Sequence, residues 1–208
     1  MYLLTDKIEF PEVNLACSDG LLAYGGDLSV DRLILAYSSG IFPWYEQGEP
    51  ILWWSPDPRF VLYTNELKVS KSLQKTILKN EFQITKNKAF RDVIMSCAHT
   101  KRKGQPGTWI TSEMMESYCQ MHELGLAISV EVWLNKKLVG GLYGIDLNNG
   151  VFCGESMFSL VSDASKVAFV YLVKNSNYKI IDCQIYTKHL ERFGAKHISR
   201  DSFLKLLN

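Results

Sequence analysis

Apolar and polar positions alternate along this chain with two distinct periods, and the switches between them predict its elements. Leu33, Ile34 and Tyr37 recur at helical spacing between Ser29, a capping residue, and Gly40, a stop, which predicts a helix over Leu28–Ser39 with Asp31 in its first turn. Trp44 and the run Ile51-Leu52-Trp53-Trp54-Ser55-Pro56-Asp57-Pro58-Arg59 follow, and the two prolines predict a turn-rich, extended path. A helix from about Ser70, a short strand near Phe82–Thr85 and a helix over about Ala89–His99 come next, and Gly104, Pro106 and Gly107 mark residues 100–107 as a linker. A further helix runs from Thr111 to Leu124, with Gly125 as its stop.

Three apolar strands then appear at hairpin spacing, Ala127–Leu134, Leu138–Asp146 and Val151–Phe158, joined by Asn135-Lys136-Lys137 and Asn148-Asn149-Gly150. A helix over about Ala164–Asn175, a strand at Lys179–Ile185, a helix at Thr187–Phe193 and a last helix near Asp201–Leu207 complete the chain. Helix, meander, helix, strand and helix predict an α+β layered domain in which a helix crosses a mostly antiparallel sheet. No internal repeat or low-complexity tract interrupts the pattern.

Composition narrows the class. The 208 residues are 47% hydrophobic and 22% charged, which excludes wholesale disorder, and no stretch approaches a membrane span. The N-terminus lacks the basic-then-apolar order of a signal peptide. Five cysteines without a Cys-x-x-C pair argue against a disulfide framework or a structural zinc site and fit reduced thiols in a cytoplasm. The four histidines lack metal-ligand spacing, so no metal and no cofactor is assigned.

The formal charge of +1 conceals an asymmetry. Residues 1–67 hold 3 basic and 10 acidic side chains, residues 68–103 hold 10 basic and 2 acidic, and the remainder balances. Lys68, Lys71, Lys75 and Lys79 fall along one side of a helix, and Lys101-Arg102-Lys103 closes the block. Such a block is either a solvated helix face or a surface that gains affinity for a polyanion by releasing phosphate counterions.

Candidate chemistry centres on Asp182-Cys183-Gln184 in the apolar strand Ile180–Ile185. A period of two places Asp182 and Gln184 on one face and Cys183 on the other. Two polar residues on a core strand need partners, since unpaired burial costs roughly 1–3 kcal/mol, so a hydrogen-bonded structural pair and a reactive pair are both open. Glu155 is a second carboxylate on an apolar strand. Cys183 with His189 is a weak candidate for a thiol nucleophile. Aromatic residues beside Pro- and Gly-rich loops, among them Tyr37, Trp44 and Trp109, either fill the core or stack on nucleotide bases. Gly140-Gly141 within a strand predicts close approach of another backbone or of a ligand.

Read together, these segments resemble the leucyl/phenylalanyl-tRNA–protein transferase family. The resemblance rests on Gly25-Gly26-Asp27-Leu28, Gly40-Ile41-Phe42-Pro43-Trp44, Leu52-Trp53-Trp54-Ser55-Pro56-Asp57-Pro58-Arg59, Gly107-Thr108-Trp109-Ile110, His122-Glu123-Leu124-Gly125, Val139-Gly140-Gly141-Leu142-Tyr143-Gly144, Phe152-Cys153-Gly154-Glu155-Ser156-Met157-Phe158 and Asp182-Cys183-Gln184, in this order over residues 21–200. It implies a small N-terminal α/β domain (1–65), with aromatic and Pro-rich loops, and a larger domain of the acetyltransferase-like GNAT type (66–208) that includes the basic helix. It also implies transfer of Leu or Phe from aminoacyl-tRNA to acceptor proteins whose N-terminus is Arg or Lys, which marks them for degradation.

By the same resemblance Asp182 and Gln184 are the catalytic pair. Leu142, Phe152, Phe169 and Leu172 form an apolar side-chain pocket, Tyr37, Trp44 and Trp109 enclose the terminal adenosine, Glu155 lies near the aminoacyl group, and Lys71, Lys75 and Lys79 face the tRNA. Two rivals stand beside this reading: an acyl-CoA-dependent N-acetyltransferase and a non-catalytic tRNA- or peptide-binding module. The first would need a Gly-rich turn at a helix N-terminus to cradle pyrophosphate, and Ser159-Leu160-Val161-Ser162-Asp163 has no glycine there.

Overall fold

A computed structural model describes residues 1–100 and 109–207. Beyond Thr100, the predicted linker lies outside the described residues, as do Lys101, Arg102 and Lys103 and the Gly107-Thr108 part of one motif. Along the chain the strands are β1 (Tyr2–Leu4), β2 (Leu21–Gly25), β3 (Phe42–Pro43), β4 (Leu52–Trp54), β5 (Arg59–Tyr63), β6 (Gln83–Lys86), β7 (Ala127–Leu134), β8 (Lys137–Asp146), β9 (Val151–Ser159), β10 (Ile180–Gln184) and β11 (Lys196–Ile198). The helices are α1 (Val30–Ser38), α2 (Lys71–Leu78), α3 (Phe90–His99), α4 (Ser112–Glu123), α5 (Ala164–Lys174), α6 (Lys188–Glu191) and α7 (Arg200–Leu207). No helix among the described residues is long and apolar enough to cross a membrane.

The described strands form two sheets. A four-stranded sheet runs β1-β2-β4-β3, and a seven-stranded sheet runs β11-β5-β10-β9-β8-β7-β6. In the larger sheet β9 and β10 are parallel and every other neighbouring pair is antiparallel. The single parallel pair follows from the chain path, because α5 carries the chain back across the sheet between these two strands. β5 belongs to the larger sheet although it precedes residue 66.

Local chemistry explains most boundaries. Ser70 Oγ accepts from Leu73 N at 3.2 Å at the start of α2, and Thr111 Oγ1 accepts from Met114 N at 3.2 Å at the start of α4. Asn135 and Lys136 both take positive φ, at 51° and 63°, which makes the β7–β8 connection a two-residue turn whose twist matches its strands. The start of α3 is capped from outside: the buried Glu131 on β7 accepts from Lys88 N at 3.3 Å, Ala89 N at 3.4 Å and Ser129 Oγ at 2.5 Å, and from Thr85 Oγ1. A buried carboxylate is tolerable there because donors surround it.

Successive strand residues feed two apolar layers. Val130, Leu142 and Phe152 pack with Val167, Phe169 and Leu172 of α5 on one face. Tyr143, Ile145 and Cys153 pack with Val93 and Ile94 of α3 and Tyr118 of α4 on the other, in a layer continuous with Trp53 and Tyr37. Of the two origins predicted for the Gly140-Gly141 pair, close backbone approach is the one seen. A Cβ on Gly140 would lie 3.1 Å from the Ala164 carbonyl carbon, and one on Gly141 would lie 2.7 Å from Val130 O. Gly144 is tighter still, since a Cβ there would sit 2.2 Å from Cys153 O. This close approach accompanies a register shift between β8 and β9 at Tyr143/Gly144.

Candidate active site

β9 and β10 stay paired only from Val151↔Ile180 to Cys153↔Asp182, after which β9 runs on toward Ser159 beside β8 alone and β10 ends at Gln184 beside β5. A cavity of about 480 Å³ occupies the place where they part. Gly154 to Met157 of β9 and Ile181 to Ile185 around β10 form its floor. Leu142, Phe152 and Phe169 give it an apolar wall, and Phe42, Pro43, Trp44 and Trp109 bound its other side.

The expectation that Asp182 and Gln184 share one face holds, though strand alternation is not the cause. Asp182 pairs with Val61 and Gln184 with Phe60, so Cys183 is an extra residue in a bulge, and Gln184 adopts φ 63°. Cys183 lines the cavity as well, but it packs in the α5-side layer with Ile181, Phe152 and Phe169, on the face predicted for it. Its thiol donates to Ile181 O at 3.6 Å, and burial pushes its pKa far up, so it remains a protonated, poor nucleophile.

Asp182 is fully buried and fully engaged. Oδ1 accepts from Arg59 Nε at 2.9 Å and from the Gln184 backbone N–H at 2.9 Å, and Oδ2 accepts from Arg59 Nη2 at 2.7 Å. Arg59 also donates from Nη1 to Gly40 O at 3.1 Å, and its guanidinium lies 4.7 Å from the ring centres of both Phe42 and Phe203. This fork-to-fork pair fixes the backbone of Gln184, while the Gln184 side chain goes elsewhere.

Gln184 Nε2 donates to Glu155 Oε1 at 2.8 Å. Glu155 is buried in the cavity floor, where Tyr37 OH also reaches Oε1 at 2.8 Å and Tyr118 OH reaches Oε2 at 3.1 Å. The two phenol oxygens are 2.6 Å apart. Burial raises the Glu155 pKa from 4.5 to about 7, against three hydrogen bonds that lower it and with the Asp182 charge adding to the rise. Burial, followed by the Glu155 charge, holds both phenol pKa values well above 10.0.

The other predicted site residues divide. Trp44 and Trp109 are half-buried at the cavity, and Trp54 fixes the Trp44 backbone by donating from Nε1 to Trp44 O at 2.7 Å. Leu142, Phe152 and Phe169 line the cavity, but Leu172 is buried behind it among the α5 contacts. Tyr37 is 1% exposed and does not reach the cavity, so its ring has no free face to stack on a base. It supports Glu155 from behind instead. Lys71, Lys75 and Lys79 are exposed on α2 and its C-cap, opposite the buried Leu73.

Arg59 and Tyr118 were missed as site residues, and both carried a signal. An arginine leading the apolar run Phe60-Val61-Leu62 needs a buried acid, and Asp182 is the acid on a neighbouring core strand. Tyr118 occupies the apolar side of α4 with Met114 and Met121, where a phenol needs a hydrogen-bond partner. Among the described residues no group of three or more His, Cys, Asp or Glu could hold a metal ion.

Comparison with known proteins places this geometry. A protein of unknown function from Bacteroides thetaiotaomicron shares the fold at a TM-score of 0.50 and 13% identity, over 65% of this chain and 53% of its own. A family model described as leucyl/phenylalanyl-tRNA protein transferase matches residues 61–208, and the model of that enzyme's N-terminal domain matches residues 26–57. Curated relatives bearing that name include proteins of Flavobacterium psychrophilum, 59% identical, and Flavobacterium johnsoniae, 56% identical, each covering 100% of this chain and 99% of the relative. With family models over most of its length and relatives alike from end to end, this chain belongs to the leucyl/phenylalanyl-tRNA–protein transferase family of aminoacyltransferases.

Proposed function

We propose that the protein moves leucine, or phenylalanine, from the 3′ end of aminoacyl-tRNA to the N-terminal Arg or Lys of an acceptor protein and thereby marks it for degradation. The observation that carries this reading is the cavity between β9 and β10, which joins an apolar wall (Leu142, Phe152, Phe169), two half-buried tryptophans (Trp44, Trp109) and a polar floor (Gln184, Glu155). The chemistry is aminolysis: the acceptor α-amine attacks the ester carbonyl, and the ribose oxygen leaves. Free α-amines titrate near ~7.7–8.0, so a useful fraction is neutral at pH 7 and positioning is the larger demand.

Each part of the cavity then has a task. The apolar wall selects an unbranched-at-Cβ apolar side chain by burial, worth about 1.5–3 kcal/mol, and a polar side chain would lose hydration without replacement. Leu172 acts on this wall only by packing behind it. Trp44 and Trp109 stack on the terminal adenosine. Gln184, whose amide nitrogen is turned to Glu155, offers its carbonyl oxygen to the amine, and the Arg59–Asp182 pair holds its backbone in place. Tyr37, which the sequence resemblance set at the adenosine, instead supports Glu155 from beneath.

An acyl-CoA reading finds no support at α5. The residue preceding that helix is Asp163, whose carboxylate is already bonded to Lys166 at 2.6 Å and to Thr76 at 3.3 Å, and an acid at a helix N-terminus repels a pyrophosphate. The acetyltransferase-like character of the larger sheet is part of this proposal and rests on its one parallel pair spanned by α5. A unit boundary between residues 65 and 66 also belongs to it, with β5 contributed to the larger sheet from the N-terminal side. A cytoplasmic location follows from the co-substrate, charged tRNA.

The direct test supplies labelled leucyl- or phenylalanyl-tRNA and a peptide beginning with Arg. Transfer to that peptide, and none to one beginning with Asp, is expected; no transfer from verified charged tRNA would refute the reading. The exposed lysines give a second expectation. Replacing Lys71, Lys75 and Lys79 together by Ala removes three candidate phosphate contacts, so the plot of log affinity for tRNA against log salt should become shallower by roughly 2–3 units. Filter binding over a salt series measures this, and an unchanged slope would place the tRNA elsewhere.

A further inference from the structure

The three oxygen contacts beneath the cavity do not match their proton supply. Tyr37 O to Tyr118 O is 2.6 Å, Tyr37 O to Glu155 Oε1 is 2.8 Å and Tyr118 O to Glu155 Oε2 is 3.1 Å, a closed triangle with three edges. Two phenols supply two protons. With an ionised Glu155, one edge of the triangle brings oxygens together with no hydrogen between them. A third proton on Glu155 Oε2 completes the ring: Glu155 donates to Tyr118, Tyr118 to Tyr37, and Tyr37 back to Glu155 Oε1, where Gln184 also donates. The triangle is therefore built to receive one proton, and Glu155 opens onto the cavity.

Resting on the transfer reading above, we infer that Glu155 is the proton acceptor of the aminolysis, with Tyr118 and Tyr37 as positioning residues that close a hydrogen-bond ring around the captured proton. The amine nitrogen forms its bond to the ester carbonyl carbon, and the proton that nitrogen sheds passes to Glu155 Oε2. The carbon–oxygen bond to the ribose then breaks with its electron pair on oxygen, and Glu155 returns the proton to that oxygen. The ledger closes without a co-reactant: an ester and an amine become an amide and an alcohol.

Asp182 is a poor rival for the task, because both of its oxygens are held by Arg59 and one also by the Gln184 backbone. The charged or titratable groups facing Glu155 are Tyr37 from α1, Tyr118 from α4, Asp182 from β10 with Arg59 of β5 behind it, and its strand neighbour Cys153. The Tyr143 ring of β8 packs edge-on against Tyr118 at 5.7 Å. A Glu155 pKa of about 7 puts the carboxylate in its receiving form at and above neutral pH.

Glu155→Gln separates this role from that of holding the donor's ammonium. The amide keeps the ring closed, since its nitrogen donates to Tyr118 as the protonated acid would, but it cannot accept a proton. Single-turnover transfer at saturating charged tRNA is expected to fall by roughly 10²–10⁴-fold. The fall should be equal with a donor ester of the α-hydroxy analogue of leucine, which has no ammonium to hold. Below pH 7 the wild-type rate should drop with two-proton steepness, one from the acceptor amine and one from Glu155, and that of Glu155→Gln with one. A carboxyl whose pKa rises on folding makes stability fall as pH climbs from 4.5 to about 7, so the variant should lack this slope in pH-dependent unfolding, which needs no activity. Tyr118→Phe opens the ring and should displace the midpoint of the acid limb, which a Tyr118 that merely packs would leave in place.

A loss confined to the leucyl donor, or full activity of Glu155→Gln, overturns the inference while the transfer reading stands. Wild-type protein inactive with both donors sinks the transfer reading and this inference with it.

Discussion

Arg59→Leu is expected to lower the unfolding free energy by about 3–5 kcal/mol, the cost of leaving one member of a buried ion pair without its partner. The reasons are local. Arg59 is 1% exposed and Asp182 is 0% exposed, and the pair is joined by two donors at 2.9 and 2.7 Å. Without the guanidinium, the Asp182 carboxylate keeps no cation, only the neutral donors Gln184 N–H and the Cys153 thiol among the described residues. The same cation joins separate parts of the chain, since it bonds Gly40 O after α1 and lies against Phe42 of β3 and Phe203 of α7. Urea unfolding followed by tryptophan fluorescence measures the change, with a shifted midpoint and an unchanged slope.

Two further variants sort the causes. Arg59→Lys keeps the charge but cannot make the planar fork, so it should recover only part of the loss. The double change Arg59→Leu with Asp182→Leu removes the stranded charge and should regain stability, yet transfer should stay low, because Gln184 loses the carboxylate that fixes its backbone. A double variant as active as wild type would show that the pair serves the fold alone.

Why some of this was legible in the sequence and some was not follows from the range of the forces. The meander β7–β8–β9 and helix α5 repeat their apolar spacing for eight residues or more, and observed boundaries lie within a residue or so of those expected. β1, β3, β4 and β11 hold only two or three residues each, too few to show a period, and they exist because a distant partner pairs with them. β5 lay hidden at the end of a Pro-rich run, although Phe60-Val61-Leu62 is as apolar as the other core strands. Alternation placed Asp182 and Gln184 together for the wrong reason, because a bulge is invisible to a strict period of two. The resemblance implies binding roles for Trp44, Trp109, Leu142, Phe152 and Phe169, and all five line the cavity. It could not tell that Tyr37 and Leu172 stand one layer behind, because depth beneath a surface is a property of packing and not of spacing.

Gln184→Ala is expected to reduce single-turnover transfer about 10²-fold while binding of charged tRNA changes little, the mark of an interaction made as the bond forms. The side-chain amide is not free to turn. Its nitrogen gives a hydrogen to Glu155 Oε1 at 2.8 Å, so its oxygen is the atom left for an incoming amine. Gln184 also sits at φ 63°, a left-handed conformation that costs a residue with a Cβ roughly 1 kcal/mol and is kept here because Asp182 Oδ1 holds its N–H at 2.9 Å. Gln184→Gly should therefore lose transfer as Gln184→Ala does, yet unfold at a higher urea concentration than the alanine variant. Gln184→Glu would set a second carboxyl beside Glu155, and two carboxyls that share a site cannot both ionise easily. One keeps its proton to higher pH, so the acid limb of the rate profile should move upward while the fold persists. Full transfer by Gln184→Ala would mean that the amine is oriented without this amide. An unmoved limb in Gln184→Glu would mean that the side chain at 184 does not share protons with Glu155, and the 2.8 Å contact would then be a matter of packing alone.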